Sequence, residues 1–438
     1  MKINKLNFEK FASVTAKQWK QKIQYELQGE DYQKTLVTVN TDNIPQLPFY
    51  TQEAIKKKSV VHFPKKTNAC LQIAVIGETI SNKEALKGIS LGFTSVFFTV
   101  YDKKIDVVQL LQNITIPIFI YPLFLNVEFC AEIQKKFKNV TILFDPIGKI
   151  TQTGNWYRNF KHDFDQLNKL LNDSPNSLLI NQSLFHDAGA SPVQQLAYSL
   201  TQLTQYNEHI DLTTCKTVNF IVSTGVDFYL EIAKLKALRV LTESYFSNHN
   251  LSIKCVLIQQ KSYRNIHLFD QDINSEISSI EQEIGRFSGV NHINSVPKDY
   301  YFFEEDFSCI IKNHNQLIRK TNSINKTENI TDAFFIEKLT QQLIDKTQTL
   351  MNTIQKGGGF THQLQKGLLH KKIKEKESAE QLAFNKKFTV PRPETIKNPI
   401  NYPFKKNSTK KKLWQPIVKK RLTAPQEKPI WDNLYSNE

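Results

Sequence analysis

The sequence predicts an α/β protein built as a closed (β/α)8 TIM barrel, with an N-terminal docking arm before it and a basic extended C-terminal tail after it. Eight short apolar runs rich in β-branched residues recur between Leu71 and Val296. They are mostly continuous rather than alternating, as strands buried on both faces are. Helical segments separate them, and strand–helix alternation argues for a parallel sheet, which closes into a barrel at eight strands. An open doubly wound sheet is the alternative that pattern alone leaves. The 438 residues accommodate a barrel of about 250 residues with additions at both ends. An apolar fraction of 40% suffices for a core of that size.

Residues 1–68 read as the arm. Within it a helix is predicted from Ala16 to Gln28: Thr15 and Gln18 form a capping box, Val14 and Trp19 suit a hydrophobic staple, and Gly29 ends it. Trp19, Ile23 and Leu27 share one face. The barrel is expected over residues 69–360, with strands at Leu71–Ile76, Ser95–Val100, Ile116–Tyr121, Val140–Asp145, Leu178–Asn181, Val218–Ser223, Ile253–Ile258 and His292–Val296. Ser191, Pro192 and Gln194 open a helix running to about Tyr206, and Asp227 caps another over Phe228–Phe246. An amphipathic helix follows over Phe335–Ile354, stopped by Gly357–Gly359, then a polar helix over Gln363–Ala383. Residues 361–438 form the C-terminal helix and extended tail, rich in proline and lysine, with Tyr402, Pro403, Phe404, Trp414 and Trp431 as anchors that order by contact.

Composition narrows the function classes. From Thr361 onward 18 Lys and Arg face 7 Asp and Glu, so most of the net +15 lies in the tail. Such a tail serves nucleic acid, an acidic partner surface or solubility. No apolar run of about 18 residues exists to span a bilayer, and the start lacks a secretory signal; a cytoplasmic protein with no membrane association is expected. The five cysteines are scattered, with no Cys-x-x-Cys, and read as reduced core thiols. Glycines number 14, about half the average share, so few loops suit a phosphate grip. Gly148–Thr151 has the wrong spacing for a phosphate loop, and no Gly-x-Gly-x-x-Gly, His-Glu-x-x-His or Gly-x-Ser-x-Gly occurs. The ten histidines have no metal-ligand spacing.

The informative segment is Leu178–Ala190, at the end of the fifth strand, where barrels place active sites. It leads into Gln194-Gln195-Leu196-Ala197-Tyr198. This text resembles the signature of the methylmalonyl-CoA mutase family, a strand end Gly-Tyr-His-Met before a Glu-Ala-Gly-Ala turn and a helix with Glu-Leu-Ala-Tyr. Asp227–Arg239 looks like the family's Phe-Phe-Met-Glu-Ile-Ala-Lys-Leu-Arg helix, and Asn274–Gly289 a worn form of its Asn-x-x-Arg-Thr-Thr stretch. Phe335-Ile336-Glu337 and Lys356–Phe360 match the end of its barrel; Trp19, Leu27, Gly29 and Pro48–Tyr50 resemble the arm of its small subunits.

What the resemblance implies turns on its departures. Catalysing members place a Tyr-His pair before the turn, the histidine donating to the thioester carbonyl. Those positions are Ser183 and Leu184, and an aliphatic side chain cannot donate. His186 lies two residues on, and Ile277 stands at the Arg position. No Asp-x-His-x-x-Gly cobalamin motif occurs, and the stretch after residue 360 is too short for a flavodoxin-like domain. The resemblance therefore implies a non-catalytic small subunit: no catalytic, cofactor or metal residues, no cofactor of its own, and adenosylcobalamin held by a homologous large catalytic mutase subunit. Trp19, Tyr402 and Trp414 are candidate anchors to that partner, or pack on the barrel itself. A stand-alone barrel enzyme using Asn181, Gln182, Asp187, Thr224 and Asp227 on a CoA ester is a second reading. A nucleic-acid binder using the basic tail is a third, without a binding-module signature; no nucleic-acid partner is expected.

Overall fold

The computed structural model describes residues 14–55, 61–64, 66–172, 177–295, 333–390 and 411–435. Two short strands, β1 (Thr38–Val39) and β2 (Pro45–Gln46), pair antiparallel in the arm. Eight more form the barrel: β3 (Asn68–Ala74), β4 (Ser95–Val100), β5 (Ile118–Pro122), β6 (Val140–Phe144), β7 (Ser177–Asn181), β8 (Thr217–Val222), β9 (Lys254–Gln259) and β10 (His292–Ser295). All neighbours are parallel, and β10 closes the ring on β3 with His292 opposite Asn68. The closed barrel, rather than the open sheet, is the architecture.

Strand parity divides the core into two clusters. Outward side chains such as Ile73, Phe98, Ile120, Ile142, Ile180, Phe220 and Leu257 join the helices in the main core. Inward side chains Cys70, Phe97, Phe119, Tyr121, Leu143, Leu179, Ile221 and Ile258 form a second cluster. Successive residues of a strand face opposite sides, so the second cluster fills the lumen. Phe97 and Phe119 stack at 6.3 Å between centroids, and His292 meets Phe119 edge-on at 4.8 Å. Below this apolar layer Ser95 Oγ lies 3.1 Å from His292 Nδ1. Burial holds that imidazole down to about 4. Above it, at the strands' C-terminal ends, Gln72 accepts from Asn294 (3.3 Å), and Gln260 donates to Ser183 (2.6 Å).

Local chemistry sets the helix starts as expected. Capping boxes at Thr15/Gln18 and Ser191/Gln194 are both formed, and Asp227 Oδ1 accepts from Leu230 N at 3.2 Å. The helices run Ala16–Glu26, Pro192–His209 and Phe228–Asn248. Phe334–Lys356 packs against the latter two, with Lys236 Nζ 2.7 Å from Glu337 in a fully buried pair. The polar helix expected over Gln363–Ala383 is instead two, Gly359–Gln365 and Leu368–Lys387. Gly367 between them adopts φ +72°, a left-handed conformation that ends one helix and that glycine adopts without strain.

The arm is held at one end. Asp42 Oδ2 accepts from Val193 N at 2.9 Å, Ile44 is buried, and Tyr50 meets Phe335 at 5.4 Å. The helix Ala16–Glu26 buries none of its residues: Trp19 touches Phe49 edge-on at 6.1 Å yet is 49% exposed, and Tyr25 is 81% exposed.

A filled lumen predicts a large cost for emptying it. Phe97→Ala should destabilise the protein by about 3–5 kcal/mol in urea unfolding; a loss below about 1 kcal/mol would contradict a close-packed lumen.

Candidate functional site

At the end of β7 the inward side of the strand carries Leu179 and then Asn181, whose N–H donates to Asp145 Oδ2 at 3.0 Å. The chain turns at Gln182 into the short helix Ser183–Asp187, and Ser191 with Pro192 starts the next. Ser183 Oγ donates to Asn181 Oδ1 (2.5 Å) and accepts from Gln260 Nε2. Leu184 is half-buried and Ile277 half-buried on the helix Gln271–Phe287. The positions where the resemblance places a donor imidazole and a guanidinium are thus occupied by aliphatic side chains.

His186 is 6% exposed, and the network around it fixes its tautomer. Lys234 only donates; its Nζ reaches Gln195 Oε1 (2.9 Å) and Ser223 O (3.0 Å) and pairs with Glu231 at 2.5 Å. Gln195 must therefore turn its Nε2 to Ala190 O (2.8 Å) and to His186 Nδ1 (3.3 Å). His186 Nδ1 is then an acceptor, and Nε2 carries the proton that it donates to Ser262 Oγ at 2.9 Å. Burial, with Lys234 and Arg264 nearby, holds the imidazole well below its ordinary value, so it is neutral.

Beyond Ser262 the network continues. Ser262 N donates to Glu281 Oε2 at 3.4 Å, and burial raises that carboxyl to about 8, against Lys261, Ser262 N and Asn265. Asp187 Oδ1 accepts from Tyr263 N at 3.0 Å; burial raises it to about 7, against Lys419 and the amides of Tyr263 and Arg264. Arg264 pairs with Glu380 at 2.6 Å. On the β6 side Asp145 accepts from Tyr206 OH and Gly148 N (2.7 Å each), and burial raises it to about 6.

The remaining sequence candidates serve neighbours. Thr224 Oγ1 accepts from Gln259 Nε2 at 3.0 Å, Gln182 Nε2 reaches Gln195 O at 3.4 Å, and Asp227 caps its helix. His186, Asp187, Gln182 and Asn181 come together, but as a hydrogen-bonded joint. Trp414 packs edge-on against Trp156 at 5.8 Å, on its own barrel. Tyr402 lies outside the described residues. Sequence reasoning did not single out Ser262, Glu281, Arg264 or Asp145; for Asp145, Ser262 and Arg264 the one signal was polar character just after an apolar strand, and Glu281, within the helix Gln271–Phe287, carried none. Among the described residues no group of three His, Cys, Asp or Glu is placed to hold a metal ion, and no helix is long and apolar enough to cross a membrane.

A closed eight-stranded parallel barrel with its strand-end polar groups bonded to one another defines a (β/α)8 scaffold of the kind that hosts enzymes. The sequence profile described as methylmalonyl-CoA mutase matches residues 126–390. The chain belongs to the methylmalonyl-CoA mutase family. It is 24% identical over 418 residues to the methylmalonyl-CoA mutase small subunit of Porphyromonas gingivalis, covering 84% of this chain and 67% of that protein. It is 24% identical over 213 residues to the large subunit from the same organism, covering 46% and 30%. To the mitochondrial methylmalonyl-CoA mutase of Homo sapiens it is 26% identical over 215 residues, covering 46% and 28%. The chain thus spans two thirds of the small subunit and less than a third of these longer mutases.

Glu281 sets a pH dependence. The fold keeps its proton up to about 8, whereas the ordinary value of the unfolded chain is 4.5. Between these values the folded state binds the extra proton, so this group's contribution to stability falls as pH rises and stays lost above 8. Glu281→Gln keeps the neutral shape and removes that slope; in urea unfolding it should gain on the parent protein at pH 8 compared with pH 5. Equal differences at both pH values would refute the assignment.

Proposed function

We propose that this chain is the non-catalytic small subunit of a heterodimeric methylmalonyl-CoA mutase. In this reading the homologous large subunit carries adenosylcobalamin and interconverts methylmalonyl-CoA and succinyl-CoA, as part of propionate metabolism. The observation that carries it is Leu184 at the family's imidazole position, with the nearby His186 holding neighbours through both ring nitrogens. The similarity along most of the chain to a small subunit, from an organism that also has a large one, supports the pairing.

In this reading the rim is not a cradle for adenosylcobalamin. Barrel cofactors and substrates bind at the C-terminal face, and here residues 413–422 bond to the segments that follow β6, β7 and β9. The lumen beneath holds Phe97, Phe119 and Tyr121. The chain's role is binding: the arm helix Ala16–Glu26, with Trp19 and Tyr25 exposed, is the surface offered to the large subunit. Large exposed aromatics of this kind act as interface anchors.

The purified chain, mixed with adenosylcobalamin and methylmalonyl-CoA, should give no succinyl-CoA and retain no corrinoid on gel filtration. Co-expressed with the longer homologue it should co-elute at equal stoichiometry, and Trp19→Ala should weaken that complex at least tenfold. Turnover by the isolated chain would favour the stand-alone enzyme; failure of the two chains to associate would reject the subunit reading.

A further inference from the structure

Composition leaves the basic tail free to face nucleic acid, a partner or solvent, and its anchors free to pack on a partner or on the barrel; residues 411–435 lie on this chain's own barrel. Leu413 N and Trp414 N both donate to Gly154 O (3.0 Å), Ile417 N to Thr151 O (2.8 Å), Lys420 N to Asp187 O (2.7 Å) and Leu422 N to Arg264 O (2.9 Å). The extended segment thus bonds its main chain in turn to the end of the helix Pro146–Thr153 that follows β6, to the end of Ser183–Asp187 after β7, and to the loop after β9. Its end is fastened more deeply. Arg421 pairs with Glu427 at 2.9 Å with both side chains within 1% of full burial. Glu427 Oε1 also accepts from Leu268 N (2.6 Å), and Thr423 Oγ1 donates to Ile266 O (3.1 Å). The helix Ala424–Tyr435 then sets Trp431 against Ile266, Leu268, Tyr263 and Phe269.

Two features mark this as built in rather than incidental. At Gly154, φ +79°, a Cβ would stand 2.2 Å from Trp414 O, so only glycine admits the segment there. A buried ion pair adds little net stability, but opening it leaves a charge buried alone, which is costly. Meanwhile Lys411, Lys412 and Lys420 remain exposed, while Ile417, Arg421, Leu422 and Trp431 face in.

We propose that residues 411–435 are a self-capping strap, latched by Arg421 and Glu427, that holds the C-terminal rim shut from β6 to β9 and keeps the apolar surface of Tyr263, Ile266, Leu268 and Phe269 covered. The strap lies beyond the residues that match the family profile, which end at 390. The proposal stands independently of the subunit reading, because it concerns contacts within one chain.

Hydrogen exchange on the full-length protein tests it. In the parent chain the amides of Ile417, Lys420 and Leu422 should exchange at least a hundredfold more slowly than in an unstructured peptide. Glu427→Gln should speed Lys420, Leu422 and Leu268 at least tenfold, leave Phe97 and Phe98 in β4 unchanged, and raise the fluorescence of an added anilinonaphthalene dye. If that variant does not fold, Trp431→Ala should give the same localised pattern. Unprotected strap amides in the parent chain, unchanged exchange in the folded variants, or loosening of β4 equal to that of the strap would each overturn the proposal.

Discussion

The rim depends on one chain of hydrogen bonds, running from Glu231 through Lys234, Gln195, His186 and Ser262 to Glu281. An ionised group in a low-dielectric interior must be paired or neutral. Lys234 meets that demand by ion pairing with Glu231, and Glu281 by keeping its proton. The neutral links between them join the helices Pro192–His209, Phe228–Asn248 and Gln271–Phe287 with the turn after β7 and the loop after β9. Each partner's orientation follows from the next, because lysine can only donate and a neutral imidazole has one donor and one acceptor.

The same chain of bonds limits what the rim can do. A general base needs a free lone pair toward substrate, and His186 directs one ring nitrogen at Gln195 and the other at Ser262. The half-buried Leu184, where the resemblance places the family's donor imidazole, has no group to donate. Beneath, the aromatic side chains of Phe97, Phe119 and Tyr121 belong to the buried cluster of the lumen. Above, the strap adds a second set of main-chain bonds to Asp187 O and Arg264 O. Lumen, rim and strap all bury polar or apolar surface internally.

Much of the fold was legible because its signals are local. The strand runs carry their own β-branched side chains, and Ser95–Val100 matches the structure residue for residue. Capping residues such as Thr15, Ser191 and Asp227 act within three positions of themselves. The rim was only half legible. The segment Leu178–Ala190 marked its place, but His186 meets Ser262, 76 residues away, and no sequence spacing announces that. Trp414 and Trp431 announce a tail that orders by contact, but the buried Ile417, Arg421 and Leu422 that decide its path carry no such signal. The terminal helix Ala424–Tyr435 falls where a proline- and lysine-rich composition predicts an extended tail, and it carries Pro429 within it. Trp414 was equally compatible with a partner and with Trp156, and only the fold distinguishes them.

His186 lies two residues past the position where the resemblance places the family's imidazole, and both of its ring nitrogens are committed to neighbours. Nitrogen-15 chemical shifts of His186 in the folded protein test that commitment. A neutral ring protonated at Nε2, with its midpoint displaced well below the ordinary 6.5, is the result expected for a buried imidazole bonded at both nitrogens. A midpoint near 6.5, or a proton on Nδ1, would show that the ring is not held in this way.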